Sequence, residues 1–298
     1  MDKLTKVINT AKKLIDLPYN KFNLKNYISI LSKNKLNPVM INTAKNGPIE
    51  LMSGNDFGSG IVTSNYFPNK KRNIYIVGKG VLFDSGGYNL KTGRDGPYGM
   101  HDDKAGMIIA MNIANYLKGN TSAYCPVTTN FLHNSNITPG DVLKIGKKEV
   151  LVNNCDAEGR LVLAEAISAL NVSKNDIIIS IATLTGCCEY AVDKATGVFS
   201  DSNDLLKKFA DASHESKELA WALPMFEYME KYYKKQPIKN SDDRIKAGAS
   251  QGAVFLKQFC KYPQNFIHLD IARSSFDDEG RANGIPIRSL INFIKKIQ

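Results

Sequence analysis

Along the chain, apolar positions first recur at helical spacing. Leu4, Val7, Ile8, Ala11, Leu14 and Ile15 fall on one helical face. Pro18 ends that run, because its ring and missing N–H cannot continue a helix. Leu24, Tyr27, Ile28 and Leu31 mark a second helix. The period then changes. Residues 39–41 and 74–77 are short apolar runs that read as strands, residues 127–132 read as another strand, and residues 55–60 form a glycine-containing turn. Residues 105–117 are apolar nearly all round, which predicts a buried helix. Residues 142–145 and 149–152 flank Gly146, Lys147 and Lys148 and predict a hairpin, with a helix over 161–170. Residues 177–182 are apolar but for Ser180, as expected of a parallel strand covered on both faces. A helical region over 205–223 stops at Pro224, a strand follows over 267–271, and a helix over 290–297 closes the chain. Strands alternating with helices predict an α/β fold with a mostly parallel central sheet sandwiched by helices. The first 70 or so residues read as a small appendage to the main domain.

The polar positions that interrupt this pattern gather after strand ends, where open α/β sheets place their sites. After residues 74–77 the chain reads G-K-G-V-L-F-D-S-G-G-Y-N-L-K and, further on, M-H-D-D-K-A-G. Connections are usually two to six residues long, so a long one carrying Lys79, Asp84, Lys91 and Asp103 points to function. A second stretch, N-N-C-D-A-E-G-R-L over 153–161, carries Asp156, Glu158 and Arg160. Residues two apart share a face only in extended chain, so a common site for Asp156 and Glu158 predicts that both precede the helix. Singly, these residues have ordinary explanations. A lone lysine is a surface residue, and carboxylates near a helix N-terminus are favoured by its dipole. Asp102 is an alternative to Asp103. Together, Asp84, Asp103, Asp156 and Glu158 would carry about −4 and raise one another's pKa values. Two divalent cations would cancel that charge. An oxygen-rich set suits Mg, Mn or Zn, and two such ions about 3.5–4 Å apart can share a bridging water whose pKa falls toward roughly 7. A lysine that binds metal must be neutral, which at pH 7 costs about 4.6 kcal/mol for a side chain of pKa about 10.4. A lysine farther off stays charged and can stabilise an oxyanion, while Arg160 can hold an anion in its planar fork.

Composition narrows the class. The chain has 298 residues, of which 43% are hydrophobic, enough for a large core. No run of about 18 apolar residues predicts a membrane span, and M-D-K-L-T-K leads into an amphipathic helix rather than a signal sequence. The odd number of cysteines (five), in apolar or strand-like contexts, predicts reduced thiols and a cytoplasmic protein. A net charge of +10 would favour anionic partners. No nucleic-acid motif accompanies it, so the charge reads as solvated surface, and K-Y-Y-K-K at Lys231–Lys235 as a helix end. Of the four histidines only His101 adjoins the polar stretches.

In family order through most of residues 74–295, the motifs V-G-K-G-V-x-F-D-S-G-G-x-x-x-K, M-x-x-D-x-x-G, P-G-D-V, N-x-D-A-E-G-R-L-V-L and A-T-L-T-G resemble the leucyl (cytosol) aminopeptidase family of two-metal exopeptidases. The resemblance implies metal ligands at Lys79, Asp84, Asp103, Asp156 and Glu158. Lys79, Asp84, Asp103 and Glu158 would form a tight site, and Asp84, Asp156, Glu158 and the Asp156 carbonyl an exchangeable one. It implies an oxyanion-stabilising role for Lys91 and a bicarbonate, acting as general base, held by Arg160. Met100, Thr183 and Gly186 would line the substrate pocket, with the Leu184 carbonyl receiving the substrate amine. The implied reaction removes an N-terminal, preferably apolar and Leu-like, residue from peptides by a metal-bridging hydroxide. The implied cofactors are two divalent ions per chain, Zn or Mn with Mg as a third choice, and the implied assembly is a homo-oligomer, hexameric in the family. Three departures stand out: Cys155 replaces the usual Thr, the segment before Asp103 holds one extra residue, and the usual A-I-T-A-G-like stretch is A-S-Q-G-A over 249–253. The family's N-terminal regulatory domain is expected to be missing, leaving residues 1–70 as a helical linker segment packed on a catalytic domain at 71–298 and allowing a smaller assembly. The alternative is a weak or inactive homologue serving as a structural or nucleic-acid-binding protein. Retention of Lys79, Asp84, Lys91, Asp103, Asp156, Glu158 and Arg160 favours the enzyme.

Overall fold

The computed structural model describes residues 2–41, 43–54, 58–65, 72–92 and 96–298. In chain order the elements are α1 (Lys3–Ile15), α2 (Tyr27–Lys33), β1 (Val39–Ile41), α3 (Pro48–Met52), β2 (Gly60–Ser64), β3 (Ile74–Gly78) and β4 (Gly80–Asp84). A 3-10 turn at Met100–Lys104 leads into α4 (Ala105–Leu117), followed by β5 (Thr121–Asn130), β6 (Val142–Ile145), β7 (Lys148–Leu151) and α5 (Glu158–Ala169). Then come β8 (Ile177–Ala182), α6 (Gly186–Val192), β9 (Thr196–Phe199), α7 (Asn203–Ser216) and β10 (Ala220–Ala222). The chain ends with α8 (Glu227–Glu230), β11 (Ile238–Lys239), α9 (Gly248–Lys257), β12 (Phe266–Asp270) and α10 (Ile287–Ile297).

Nine strands form the main sheet in the order β1-β2-β5-β3-β8-β12-β9-β10, with β4 also paired to β5. Its centre, β5-β3-β8-β12, is parallel, whereas β1, β2 and β9 join by antiparallel pairing. β6, β7 and β11 make a separate small sheet. The central strands are buried throughout because helices cover both faces. Successive side chains alternate between two cores. Ile74 and Ile76 join the core built from α1, α2, α4, α7 and α10, and Tyr75 and Val77 join the one built from α3, α5, α9 and the small sheet. Residues 39–64 contribute β1 and β2 to the main sheet, and α1 lies along α4.

Three sequence readings are corrected. Much of the expected loop after residue 77 is a strand: β4 pairs with β5 through Gly80, Val81 and Asp84. The helix expected over 205–223 ends at Ser216, because Lys217 turns the chain in the left-handed region at φ 55° and β10 follows. The helix expected from 161 begins at Glu158, so Asp156 precedes it and Glu158 opens it. Of the turn expected over 55–60, residues 55–57 lie outside the described residues and Gly60 already begins β2.

The bend after α7 has a purpose in the packing. It brings Glu218 to the N-terminus of α10, which has no side-chain cap of its own. The Glu218 carboxylate accepts from the Ser289 N–H at 2.8 Å, the Ser289 hydroxyl at 2.6 Å and the Arg288 N–H at 3.4 Å. A carboxylate there satisfies otherwise orphaned donors and faces the positive end of the helix dipole. Glu218→Ala should therefore lower urea-unfolding stability by about 2–3 kcal/mol. Glu215→Ala, which removes only the exposed pair with Lys296, should cost under about 0.5 kcal/mol.

Candidate metal centre

Three backbones converge where β3 ends. The Lys79 N–H donates to the Ile181 carbonyl of β8 at 3.0 Å, and the Met107 N–H of α4 donates to the Lys79 carbonyl at 2.8 Å. Only a residue without a Cβ fits between them: a Cβ on Gly106 would lie 2.2 Å from the Ile181 carbonyl oxygen. Lys79 is thereby fixed at the parallel strands' C-terminal edge, with its ammonium buried. Its Nζ lies 2.5 Å from Asp103 Oδ1, 2.9 Å from Glu158 Oε1 and 3.0 Å from the Thr183 carbonyl. Gly159 makes room for the stem, since a Cβ there would meet Lys79 Cε at 2.8 Å.

The acids arrive from four elements. Asp84 ends β4, where Oδ1 accepts from the Gly86 N–H at 2.9 Å and from Asn130 Nδ2 at 2.7 Å. Asp103 sits in the 3-10 turn and accepts from the Thr183 hydroxyl at 2.6 Å. Asp156 lies in the turn before α5, and Glu158 begins that helix. Lys91 bridges two of them, at 2.8 Å from Asp84 Oδ2 and in contact with Asp156 Oδ1. Asp156 is the most open of the four, with its side chain 33% exposed against 2% for Asp84 and Glu158.

Charge governs this cluster. Burial, then the Asp84 charge, lift the Glu158 carboxyl to about 8 against the pull of Lys79. Burial alone would depress the Lys79 ammonium, but Asp103, Glu158 and Asp84 outweigh it and hold it well above its ordinary value. The same opposition, with Asp84 the leading charge, raises Lys91. One ligating oxygen each of Asp84, Asp156 and Glu158 lies within 4.8 Å of the others. A hard, mostly buried oxygen set with surplus negative charge fits divalent cations. Asp103 reaches the cluster through Lys79.

Arg160, on α5, is buried. Its Nη1 donates to the Asn240 carbonyl at 2.8 Å and to Gln251 Oε1 at 3.0 Å, while Nε has no hydrogen-bond partner among the described residues. A buried guanidinium with an orphaned N–H fits an added anion. All the named candidates, Lys79, Asp84, Lys91, Met100, Asp103, Asp156, Glu158, Arg160, Thr183, Leu184 and Gly186, line one cavity of about 710 Å³. Asp102 lines it too, whereas His101 does not. Cys155 points away, its Sγ 3.3 Å from the Ile137 carbonyl, and burial raises its thiol to about 11.

Sequence reasoning passed over the residues that hold these in place. Asp270, at the end of β12, accepts from the Leu184 N–H at 3.2 Å and the Thr185 hydroxyl at 2.7 Å, which fixes the loop after β8. Burial raises its carboxyl to about 6. Asn130 Nδ2 also donates to the Cys155 carbonyl at 3.1 Å, tying the Asp84 and Asp156 turns together. The signal for both was a polar residue closing a strand.

The model of the cytosol aminopeptidase family, catalytic domain, matches residues 10–291. A probable cytosol aminopeptidase of Synechococcus sp. is 36% identical over 75% of this chain and 49% of its own length. One of Prochlorococcus marinus is 30% identical over 99% of this chain and 65% of its own. The chain thus spans about half the length of several curated relatives that it matches. A solved bottromycin maturation enzyme, BotP, in complex with Mn, superposes with a TM-score of 0.84 at 21% identity, covering 99% of this chain and 70% of that one. It shares the fold.

Adding Mn at about 100 times its Kd should stabilise the protein by roughly 2.7 kcal/mol, a rise of about 5 °C in melting temperature for a chain of this size. Asp84→Asn should fold and lose that shift. An equal shift in the variant would place the ion elsewhere.

Proposed function

The chain belongs to the cytosol aminopeptidase family, and from that premise we propose that it is a metal-dependent aminopeptidase whose catalytic unit spans residues 71–298. One observation carries the reading: a buried carboxylate cluster, two lysines and an arginine with an orphaned N–H share a single cavity. Asp84, Asp103, Asp156 and Glu158 would hold two divalent ions, Zn or Mn with Mg as a third choice, and Lys79 would join them as a ligand only on giving up the proton that its acids hold on it in their absence. When bound, such ions supply a hydroxide nucleophile at neutral pH and Lewis acidity.

The chain's own groups then divide the work. Asp84 and Asp156 keep Lys91 charged at the cavity wall, where its ammonium is placed to stabilise a tetrahedral oxyanion. The Leu184 carbonyl, in the loop held by Asp270, would accept from the substrate's α-amine. Arg160 would hold bicarbonate, which would supply general-base chemistry when bound. Met100, Thr183 and Gly186 would seat the departing side chain. Among the described residues, a Cβ on Gly186 would meet nothing within 4 Å, so the wall is open there. Peptides are the proposed substrates, the cytoplasm the proposed location and a homo-oligomer the proposed assembly. Among the described residues, no helix is long and apolar enough to cross a membrane.

Two outcomes test this. With Mn present, Lys91→Ala should lower kcat roughly 10²–10³-fold, as for the loss of one oxyanion donor, and leave metal content unchanged by elemental analysis. A leucyl anilide should be cleaved and its N-acetyl form should not. Equal cleavage of the two would remove amine recognition and with it the aminopeptidase reading.

A further inference from the structure

Gln251 belongs to the A-S-Q-G-A stretch in which the chain departs from the resemblance, and nothing in the proposed chemistry uses it. It is 4% exposed at the start of α9, where four bonds fix its amide. Its Nε2 donates to the Asp242 carbonyl at 2.5 Å and the Ile245 carbonyl at 3.3 Å. Its Oε1 accepts from Arg160 Nη1 at 3.0 Å and from the Ser241 hydroxyl at 3.4 Å. The orientation of the amide is therefore set by the carbonyls behind it, and the oxygen is presented to the arginine.

The second acceptor for Nη1 is the carbonyl of Asn240, on the same segment. The Asn240 side chain is fully buried. Its Nδ2 donates to the Asn154 carbonyl at 2.7 Å and the Ala157 carbonyl at 3.3 Å, and its Oδ1 accepts from the Asn153 N–H at 3.0 Å and the Asn154 N–H at 3.3 Å. It clamps the turn that carries Asp156. Residues 240–251 thus hold one end of the Arg160 guanidinium and the Asp156 turn at once.

We infer that Gln251 is a positioning residue for Arg160: with the Asn240 carbonyl it occupies Nη1 and so leaves Nε for an exogenous anion. A planar guanidinium cannot turn about its stem without breaking both Nη1 bonds. Fixing one edge therefore fixes the other. The inference rests on the reading of Arg160 as the holder of bicarbonate.

The test uses the full chain loaded with Mn and bicarbonate as the probe. Gln251→Met removes the amide at nearly constant volume, and Gln251→Asn keeps an amide one methylene short of the guanidinium. Calorimetric titration should show bicarbonate binding weakened at least roughly tenfold in both variants, the loss expected for one hydrogen bond to a charged group. The bicarbonate concentration for half-maximal kcat should rise in parallel. KM for a leucyl anilide and bound Mn should stay within about twofold of wild type, since none of the amide's four bonds goes to a residue proposed to hold metal or seat substrate. Arg160→Ala should abolish bicarbonate binding. If either glutamine variant folds with wild-type melting temperature and binds bicarbonate like wild type, the role of Gln251 is overturned. If wild type binds bicarbonate but Arg160→Ala binds it equally, the anion lies elsewhere and the role also falls. If wild type with Mn cleaves no aminoacyl anilide at all, the aminopeptidase reading fails first and takes this inference with it.

Discussion

The buried contact of Lys79 with Asp103 and Glu158 is the constraint around which the rest is arranged. Four acids at a sheet edge repel one another, and without compensation most would protonate. Two lysines supply that compensation from within the chain. Each is surrounded by more acid than it can neutralise, so surplus negative charge remains beside an open cavity. That surplus suits divalent ions and would destabilise the fold in their absence. Removing one partner of such a cluster leaves an uncompensated buried charge, typically a loss of about 3–5 kcal/mol. Metal binding and folding are therefore linked through the same side chains.

Much of this was legible because local chemistry and tertiary position agree. The run in β8, apolar but for Ser180, announces a strand covered on both faces, and the nearly all-round apolar pattern of α4 announces a buried helix. The candidate site residues could be named because charges placed after apolar strands have little structural use. What escaped was set by partners distant in sequence. β4 is a strand because β5 offers it an edge. The region after Ser216 is not helical because Glu218 is drawn to a helix 70 residues further on. Asp270, Asn130, Asn240 and Gln251 act through hydrogen bonds to other turns, and no spacing rule encodes those.

The site is divided between elements of different stiffness. Glu158 and Arg160 ride on one helix, so the acid cluster and the arginine keep their separation as a rigid unit. Asp84, Asp103 and Asp156 are on a strand end and two turns, each fastened by side-chain bonds. Adjustment to a cation falls to Asp156, the most open carboxylate.

The alternation along β3 imposes an arithmetic on the chain. Ile74 and Ile76 face one core, Tyr75 and Val77 the other, and Lys79 follows at a fixed count from them. Inserting or deleting one residue in this strand would swap its own side chains between the two cores and turn the lysine away from its acids, whereas a change of two would preserve the sides and alter only the reach. Parity in five residues of β3 thus ties the fold and the cation site to one condition, and neither can be lost in register without the other.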